Sequence, residues 1–266
     1  MIATDSVPEV TYTEALARGG ALLNEMRTLL CAWKPGESTP DFIRRVRQDG
    51  ILGQATARTI SDYVRVFARR FVAPPGTPAR YLRRLMRGDA PHQVLTDLAF
   101  YYTAEQDDLL RDFTVLRYWP FVREGRLTIS RDDARQFIWE AEQDGRIRAP
   151  WSDAVKKDMP ARLLNALADF GLLGALKGGR RQIVPYRAAD GTIVYLAHLL
   201  HEIGVTDASL ADQPAWALFG LDPRDVWNRL DNLAGDGWFV VQRAGEVVRI
   251  TWNYQRLEEA VDALAR

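Results

Sequence analysis

The spacing of apolar residues predicts α-helices through the first 125 residues. Apolar side chains recur every three or four positions, which is the repeat of a helix that packs one face on a core. Proline and glycine residues divide this pattern into stretches, and the last stretch is interrupted near Thr103. The predicted helical stretches are 11–34, 39–50, 56–72, 79–88 and 91–125. No convincing strand precedes residue 125, and we therefore expect a helical bundle over residues 1–125.

The pattern changes after Gly125. A short extended segment leads to Ser130, a good N-terminal cap for an amphipathic helix. Met159-Pro160 is expected to separate a short helix from a longer one over residues 160–173, and a glycine-rich corner and a strand follow. Helices followed by a β-wing are typical of a winged helix-turn-helix unit, which we predict for residues 126–190.

A second unit with this order of elements is predicted for residues 191–266. A helix, a shorter helix over 209–221 and a third helix capped by Asp222 precede two β-rich runs around Ala244. Alternation along these runs places the following side chains on the core face: Phe239, Val241, Val248 and Ile250. A last helix would cover the hairpin. The alternative is a hairpin that simply caps a helical domain.

The expected fold is therefore mostly α. It has an N-terminal helical bundle at 1–125, with an arginine-rich segment at 41–90, followed by two winged-helix-like units with short β-hairpins at 126–190 and 191–266.

The formal net charge is zero, but the charges are distributed unevenly. Residues 41–90 carry eleven arginines against four aspartates, and residues 146–187 carry nine basic against three acidic side chains. Residues 188–266 are acidic, with six basic and twelve acidic side chains. A concentrated basic block favours contact with phosphate groups.

The 146–187 block coincides with the first predicted winged unit. Arg162 and Asn165 lie one turn apart near the start of the expected 160–173 helix, where such helices present side chains to base edges. Basic side chains at the wing would meet phosphates. The residues predicted to bind DNA in this block are Arg146, Arg148, Lys156, Lys157, Arg162, Asn165, Lys177, Arg180 and Arg181. The alternative is a solvated charged face.

The 41–90 block offers a second DNA surface, an RNA surface or a docking face for an acidic partner. Its arginines suit bidentate contacts to phosphate or carboxylate. The residues predicted to assist DNA binding are Arg65, Arg69, Arg70, Arg80, Arg83, Arg84 and Arg87. The acidic unit at 191–266 would be repelled by phosphate, and we expect it to dock protein.

No residue pattern favours catalysis. His198 and His201 are three positions apart, but no third metal ligand stands at a recognisable spacing, and a structural role is expected. The glycine-rich LKGGRR lacks the patterns of nucleotide sites. We expect no enzymatic activity, cofactor or metal. Cys31 lies in an apolar helical stretch and is expected to be buried. The N-terminus lacks a signal-peptide pattern and no apolar run reaches ~18 residues, so we expect a cytoplasmic protein without a membrane partner.

Three phrases of the sequence are similar to those of a known family. They are TYTEALARGGALLNEMRTLLCAW, DGILGQATARTISDYVRVFARRF and FGLDPRDVWNRLDNLAGDGWFVVQRAGEVVRITWNY. With these phrases the chain resembles the BrxA family, accessory proteins of bacterial BREX phage-defence systems. The resemblance implies a non-enzymatic DNA-binding protein with helical and winged-helix parts. Such a protein would work beside a methyltransferase, an ATPase and a phosphatase-like protein.

The sequence thus predicts a non-catalytic accessory protein of a BREX-type system that binds double-stranded DNA. One alternative is an adaptor that assembles the defence complex through its charged blocks. Another is a winged-helix transcriptional regulator.

Overall fold

The computed structural model describes residues 11–147, 149–244 and 247–266. The predictions about Arg148 and about the hairpin tip at Gly245-Glu246 lie outside these residues. Within them the chain is mostly helical with a few short antiparallel strands, as the sequence predicts. No described helix has the length and apolar content needed to span a membrane.

The elements follow one another in chain order. Residues 11–125 form α1 (Ala15–Gly19), α2 (Leu23–Ala32), α3 (Thr39–Gln48), α4 (Ala57–Phe67), α5 (Pro78–Arg87), α6 (His92–Ala104), α7 (Asp108–Phe113) and α8 (Trp119–Arg123). Two π-helical segments, Ala68–Val72 and Thr114–Tyr118, follow α4 and α7. The rest of the chain forms β1 (Thr128–Ser130), α9 (Arg131–Gln143), α10 (Asp153–Asp169), β2 (Leu173–Lys177), β3 (Arg180–Ile183), α11 (Asp190–Glu202), α12 (Pro223–Gly235), β4 (Phe239–Ala244), β5 (Val247–Trp252) and α13 (Leu257–Leu264).

The described residues form two compact units. Unit 1 contains residues 11–21 and 103–185, and unit 2 contains residues 22–102 and 186–266. These bounds differ from those of the three predicted segments, which follow the order of elements along the chain and stay a prediction.

Unit 1 contains a three-stranded antiparallel sheet in the order β1-β3-β2. Helices α9 and α10 lie between β1 and β2 in sequence and pack on one another. Ile129 of β1 and Phe137 of α9 are buried, as are Met159, Leu163 and Leu167 of α10. Ser130 caps α9 as predicted, because its hydroxyl accepts from the Asp133 amide while the Asp133 carboxylate accepts from the Ser130 amide.

Unit 2 contains the two-stranded sheet β4-β5. The predicted alternation is confirmed: Phe239 and Ile250 are buried, and Val241 and Val248 are partly buried.

Helix α11 is capped by a side chain of α6. The carboxylate of the buried Asp97 accepts hydrogen bonds from the Ala189 amide and the Thr192 hydroxyl, both at 2.8 Å. These two bonds cap the start of α11 from a neighbouring helix, since the Ala189 side chain provides no cap.

Three predicted helices differ from the structure. The stretch 11–34 is broken between α1 and α2, where Gly20 and Leu22 have positive φ angles. Consecutive glycines at 19 and 20 make that break inexpensive. The short helix predicted for 209–221 is two 3₁₀ helices, Asp207–Asp212 and Pro214–Phe219. The proline forces the preceding Gln213 into an extended conformation.

The third difference concerns Pro160, which does not separate two helices. Helix α10 runs through it from Asp153 to Asp169, with Ser152 as its cap. An interior proline costs about 3 kcal/mol. Met159, Leu163 and Leu167 continue one fully buried stripe across it, and each buried side chain of this size contributes about 1.5–3 kcal/mol. The stripe therefore offsets the missing backbone hydrogen bond.

The prediction for Cys31 is wrong, because this residue is exposed. Helix α2 buries Met26, Leu29 and Leu30. Cys31 follows directly after this stripe and therefore points to another side of the helix.

Candidate nucleic-acid interface

Helix α10 presents a mixed polar face to solvent. Arg162 and Asn165 are exposed and share this face, as predicted, since they are three residues apart. They do not lie in the first two turns, because α10 begins at Asp153 and Arg162 is its tenth residue. Asp158 and Asp169 are exposed four residues before Arg162 and four after Asn165. The face is therefore polar but not predominantly basic.

The hairpin β2-β3 carries the stronger positive charge. Lys177 pairs with Arg180 across a two-residue turn made of Gly178 and Gly179. Both glycines have positive φ angles, 57° and 78°, as required by the tight turn that suits the twist of two antiparallel strands. Lys177 and Arg180 are both exposed. The tip of the hairpin therefore holds two cations side by side.

Arg181 connects the hairpin to the helix. Its guanidinium donates to the Asn165 side-chain oxygen at 2.6 Å and to the Gly174 carbonyl at 2.8 Å. That carbonyl belongs to a bulge, since Leu173 pairs with Ile183 while Leu176 pairs with Arg181, which leaves one extra residue on β2. Arg181 thus uses its forked donors to hold strand and helix together.

The solvent face of this sheet forms a shallow groove of about 400 Å³. It is lined by Leu127, Thr128, Ala175, Lys177, Arg180 and Gln182. Leu127 is 78% exposed and Leu176 of the same sheet is 48% exposed. The exposure of these two leucines is not among the features predicted from the sequence. Burial in β2 falls from Leu173 toward the hairpin tip, so Leu176 lies at the exposed end of the strand.

The other predicted residues of unit 1 are less available. Arg146 donates to the Tyr12 hydroxyl at 2.7 Å and pairs with Asp144 at 2.8 Å. Its guanidinium also lies over the Tyr12 and Phe137 rings. Tyr12 is buried and its hydroxyl donates to the Asp112 carboxylate. Burial and this negative charge raise the pKa of the hydroxyl well above its usual range. Arg146 therefore anchors the segment around Tyr12.

Two lysines at the start of α10 differ in their surroundings. Lys156 is partly buried and pairs with Glu142 of α9. Lys157 is exposed. Of the two, Lys157 is the better placed to meet a ligand from solvent.

In unit 2 the predicted arginines separate into buried and exposed ones. Arg65 and Arg69 are exposed. Arg70 is fully buried, so its prediction as a DNA contact is wrong. At helical spacing Arg70 follows Val66 and Phe67 of the buried stripe, and this signal could have placed it inside. The π-helical turn at Ala68–Val72 further shifts the face that these side chains occupy.

The remaining arginines lie on one face of α5, at intervals of three and four residues. Arg80 pairs with Glu258 at 3.2 Å, and Arg84 pairs with Asp262. Both carboxylates belong to α13, which packs on α5. Arg83 donates to the carbonyl of Trp33 at 2.7 Å, and Arg87 is exposed. The acidic final helix therefore offsets part of the charge of this basic helix.

The two histidines considered as metal ligands pack on aromatic rings. His198 is buried and its Nδ1 donates to the Val194 carbonyl at 2.8 Å, and its ring lies 4.8 Å from that of Trp252. His201 stacks on the ring of Trp252, with ring centroids 4.3 Å apart. Among the described residues no group of three His, Cys, Asp or Glu side chains could hold a metal ion.

The fold and its basic surface define a class of protein: mostly helical, with two compact units and an exposed cationic hairpin. A family model described as BrxA matches residues 10–198. The chain belongs to the BrxA family, which associates it with BREX phage defence. The match ends within α11, so β4, β5 and α13 lie beyond it.

One solved structure similar to this chain is that of an uncharacterized protein from Magnetospirillum magneticum. The two share 17% sequence identity with a TM-score of 0.60, over 78% of this chain and 97% of that one. At this identity the similarity concerns the fold alone. No curated protein matches the sequence.

Proposed function

We propose that this protein is a non-catalytic accessory factor of a BREX defence system that binds double-stranded DNA through unit 1. The carrying observation is the position of Lys177 and Arg180 on either side of a tight two-residue turn, where both are exposed. The element order of this part of unit 1, β1-α9-α10-β2-β3, and its strand order, β1-β3-β2, support a winged-helix interpretation of residues 126–185. In that interpretation β2-β3 is the wing.

The wing would supply most of the affinity for DNA. Lys177 and Arg180 are suited to phosphate contacts, which fix a protein on a duplex without reading its sequence. The exposed face of α10 carries Asp158 and Asp169 beside Arg162. These carboxylates would weaken contacts between α10 and a groove of the DNA, and we therefore propose weak sequence preference.

The test is a fluorescence-anisotropy titration of a labelled duplex with the full chain at several salt concentrations. If about five phosphates are neutralised, the logarithm of the association constant falls with the logarithm of salt concentration at a slope near −4.5. Arg135→Ala is the control for single substitutions in the interface, since it removes one positive charge from unit 1. Arg135 pairs with Asp132 on α9, outside the hairpin groove. Absence of binding at low salt, or binding without salt dependence, contradicts the proposal.

A second candidate function is assembly with other BREX proteins through unit 2. The outward face of the β4-β5 hairpin supports it, because Val240 is 48% and Val247 is 70% exposed. Two exposed valines on one face of an acidic segment favour a protein partner over a nucleic acid. A pull-down with the full chain and with a Val240→Ser/Val247→Ser variant tests this role. Recovery of the methyltransferase, ATPase or phosphatase-like protein by the wild-type chain alone is expected, and equal recovery by both contradicts it.

A further inference from the structure

Unit 2 contains a groove lined by arginines that the duplex-binding proposal for unit 1 does not use. Its volume is about 320 Å³, and its lining residues are Trp33, Pro35, Arg80, Arg83, Arg84 and Arg87. The volume lies at the small end of the range for small-molecule sites. The four arginines occupy one face of α5, and Trp33 and Pro35 provide an apolar wall from the segment after α2.

The guanidinium of Arg83 is held in place before any ligand arrives. Arg83 donates to the Trp33 carbonyl, which lies at the C-terminal end of α2. Its Nε is buried and makes no hydrogen bond among the described residues. A buried donor without an acceptor is costly, and an anion in the groove is the kind of ligand that would satisfy it.

Two carboxylates of α13 form ion pairs with arginines of this groove. Glu258 lies 3.2 Å from Arg80 and 3.8 Å from Arg84, and Asp262 pairs with Arg84. No ion pair of Arg87 is found in the part of the chain that the structure describes. The groove therefore retains a positive excess, since four arginines meet two carboxylates. The carboxylates orient Arg80 and Arg84 and also compete with an incoming anion for them.

We propose that this arginine groove binds the phosphate group of a nucleotide, and that Glu258 and Asp262 lower its affinity for that group. Arginine forks match phosphate geometry in two-pronged contacts. The phosphate has two possible sources with the same chemistry: a free nucleotide or the terminal phosphate of a DNA strand. The inference does not rest on duplex binding by unit 1, because its ligand and its residues are different.

The experiment is isothermal titration calorimetry on the full chain at low salt with three probes. They are ATP, a short single-stranded oligonucleotide with a 5′-phosphate and the same oligonucleotide with a 5′-hydroxyl. ATP binding supports a free nucleotide as the source. Preference for the phosphorylated over the hydroxyl oligonucleotide, without ATP binding, supports a strand end. Failure of all three to bind overturns the proposal, whatever unit 1 does with duplex DNA.

Variants locate the binding. Arg87→Gln removes an exposed arginine of the groove and should weaken binding about tenfold or more, because hydrogen bonds to charged groups contribute about 1.5–3 kcal/mol. Arg58→Gln is the matched control, since Arg58 is an exposed arginine of the same unit outside the groove. Equal loss in both variants would show diffuse attraction and overturn the site. Arg87→Lys should retain part of the affinity.

The carboxylates are tested in the opposite direction. Glu258→Gln/Asp262→Asn should strengthen binding about twofold to fivefold, the scale of exposed ion pairs. Asp231→Asn is the control, because Asp231 pairs with Arg243 elsewhere in unit 2. Circular dichroism establishes that each variant is folded. Weaker binding by a folded Glu258→Gln/Asp262→Asn variant contradicts the competition between carboxylates and phosphate.

Discussion

Arg181 of strand β3 and Asn165 of helix α10 are hydrogen-bonded at 2.6 Å, although sixteen residues separate them in sequence. Both belong to the residues predicted to contact DNA. The bond makes them one structural pair, and the second donor of Arg181 satisfies the Gly174 carbonyl at the bulge. The orientation of the hairpin relative to α10 therefore depends on this pair.

This pair predicts energetic coupling between the two side chains. Arg181→Ala should lower the free energy of unfolding by about 1–2 kcal/mol, since it removes charge-assisted hydrogen bonds at a partly exposed site. Asn165→Ala should cost less, because Arg181 keeps the Gly174 carbonyl. A double-mutant cycle measured by urea unfolding should give a coupling of about 0.5 kcal/mol or more. Strict additivity of the two changes would show that the bond does not contribute.

Arg162 should behave differently from Arg181. It is exposed on α10, and Arg162→Ala should leave the unfolding free energy within about 0.5 kcal/mol of wild type. Duplex binding should weaken by about 1–3 kcal/mol if the side chain meets a base or a phosphate. Anisotropy titration beside Arg135→Ala measures this. An unchanged affinity would remove α10 from the interface while leaving the hairpin in it.

Mild acid should destabilise unit 2 through His198. Burial lowers the pKa of this imidazole below its usual value, although its hydrogen bond with the Val194 carbonyl opposes the shift. The unfolded chain therefore binds a proton first as pH falls below about 6.5, so stability is lost from that pH down to the folded-state pKa. His201, Glu202 and Glu259 are the nearby titratable groups. Urea unfolding of wild type and His198→Gln between pH 7.5 and 5 should show a steeper loss for wild type, and parallel curves would contradict the assignment.

Much of the fold could be predicted because its signals are local. Ser130 and Asp222 cap α9 and α12 through hydrogen bonds to residues three positions away. The hairpin around Ala244 follows from alternation of its side chains. Local signals failed where distant packing decides the conformation. Pro160 stays within α10 because the buried stripe continues on both sides of it.

For the candidate site, the sequence predicts several of its residues but not the contacts between them. The basic hairpin tip at Lys177 and Arg180 was found because charge and glycine stand together in sequence. The bond between Arg181 and Asn165 was missed, because it joins a strand to a helix sixteen residues away in sequence and depends on how the two pack. The carboxylates of α13 opposite α5 were missed for the same reason, since more than 170 residues separate Arg84 from Glu258.

The central claim is that duplex DNA binds to the hairpin of unit 1, and a direct comparison of two charge-neutralised variants tests it. Duplex affinity is measured across a salt series for Lys177→Ala/Arg180→Ala and for Arg83→Ala/Arg87→Ala, which remove equal charge from unit 1 and from α5. We predict that the first variant reduces the salt slope by about 1.8, since each phosphate contact contributes about 0.9, and that the second retains a slope near that of wild type. Loss of duplex binding in the α5 variant, with an unchanged slope in the hairpin variant, would contradict the account and place the DNA on unit 2.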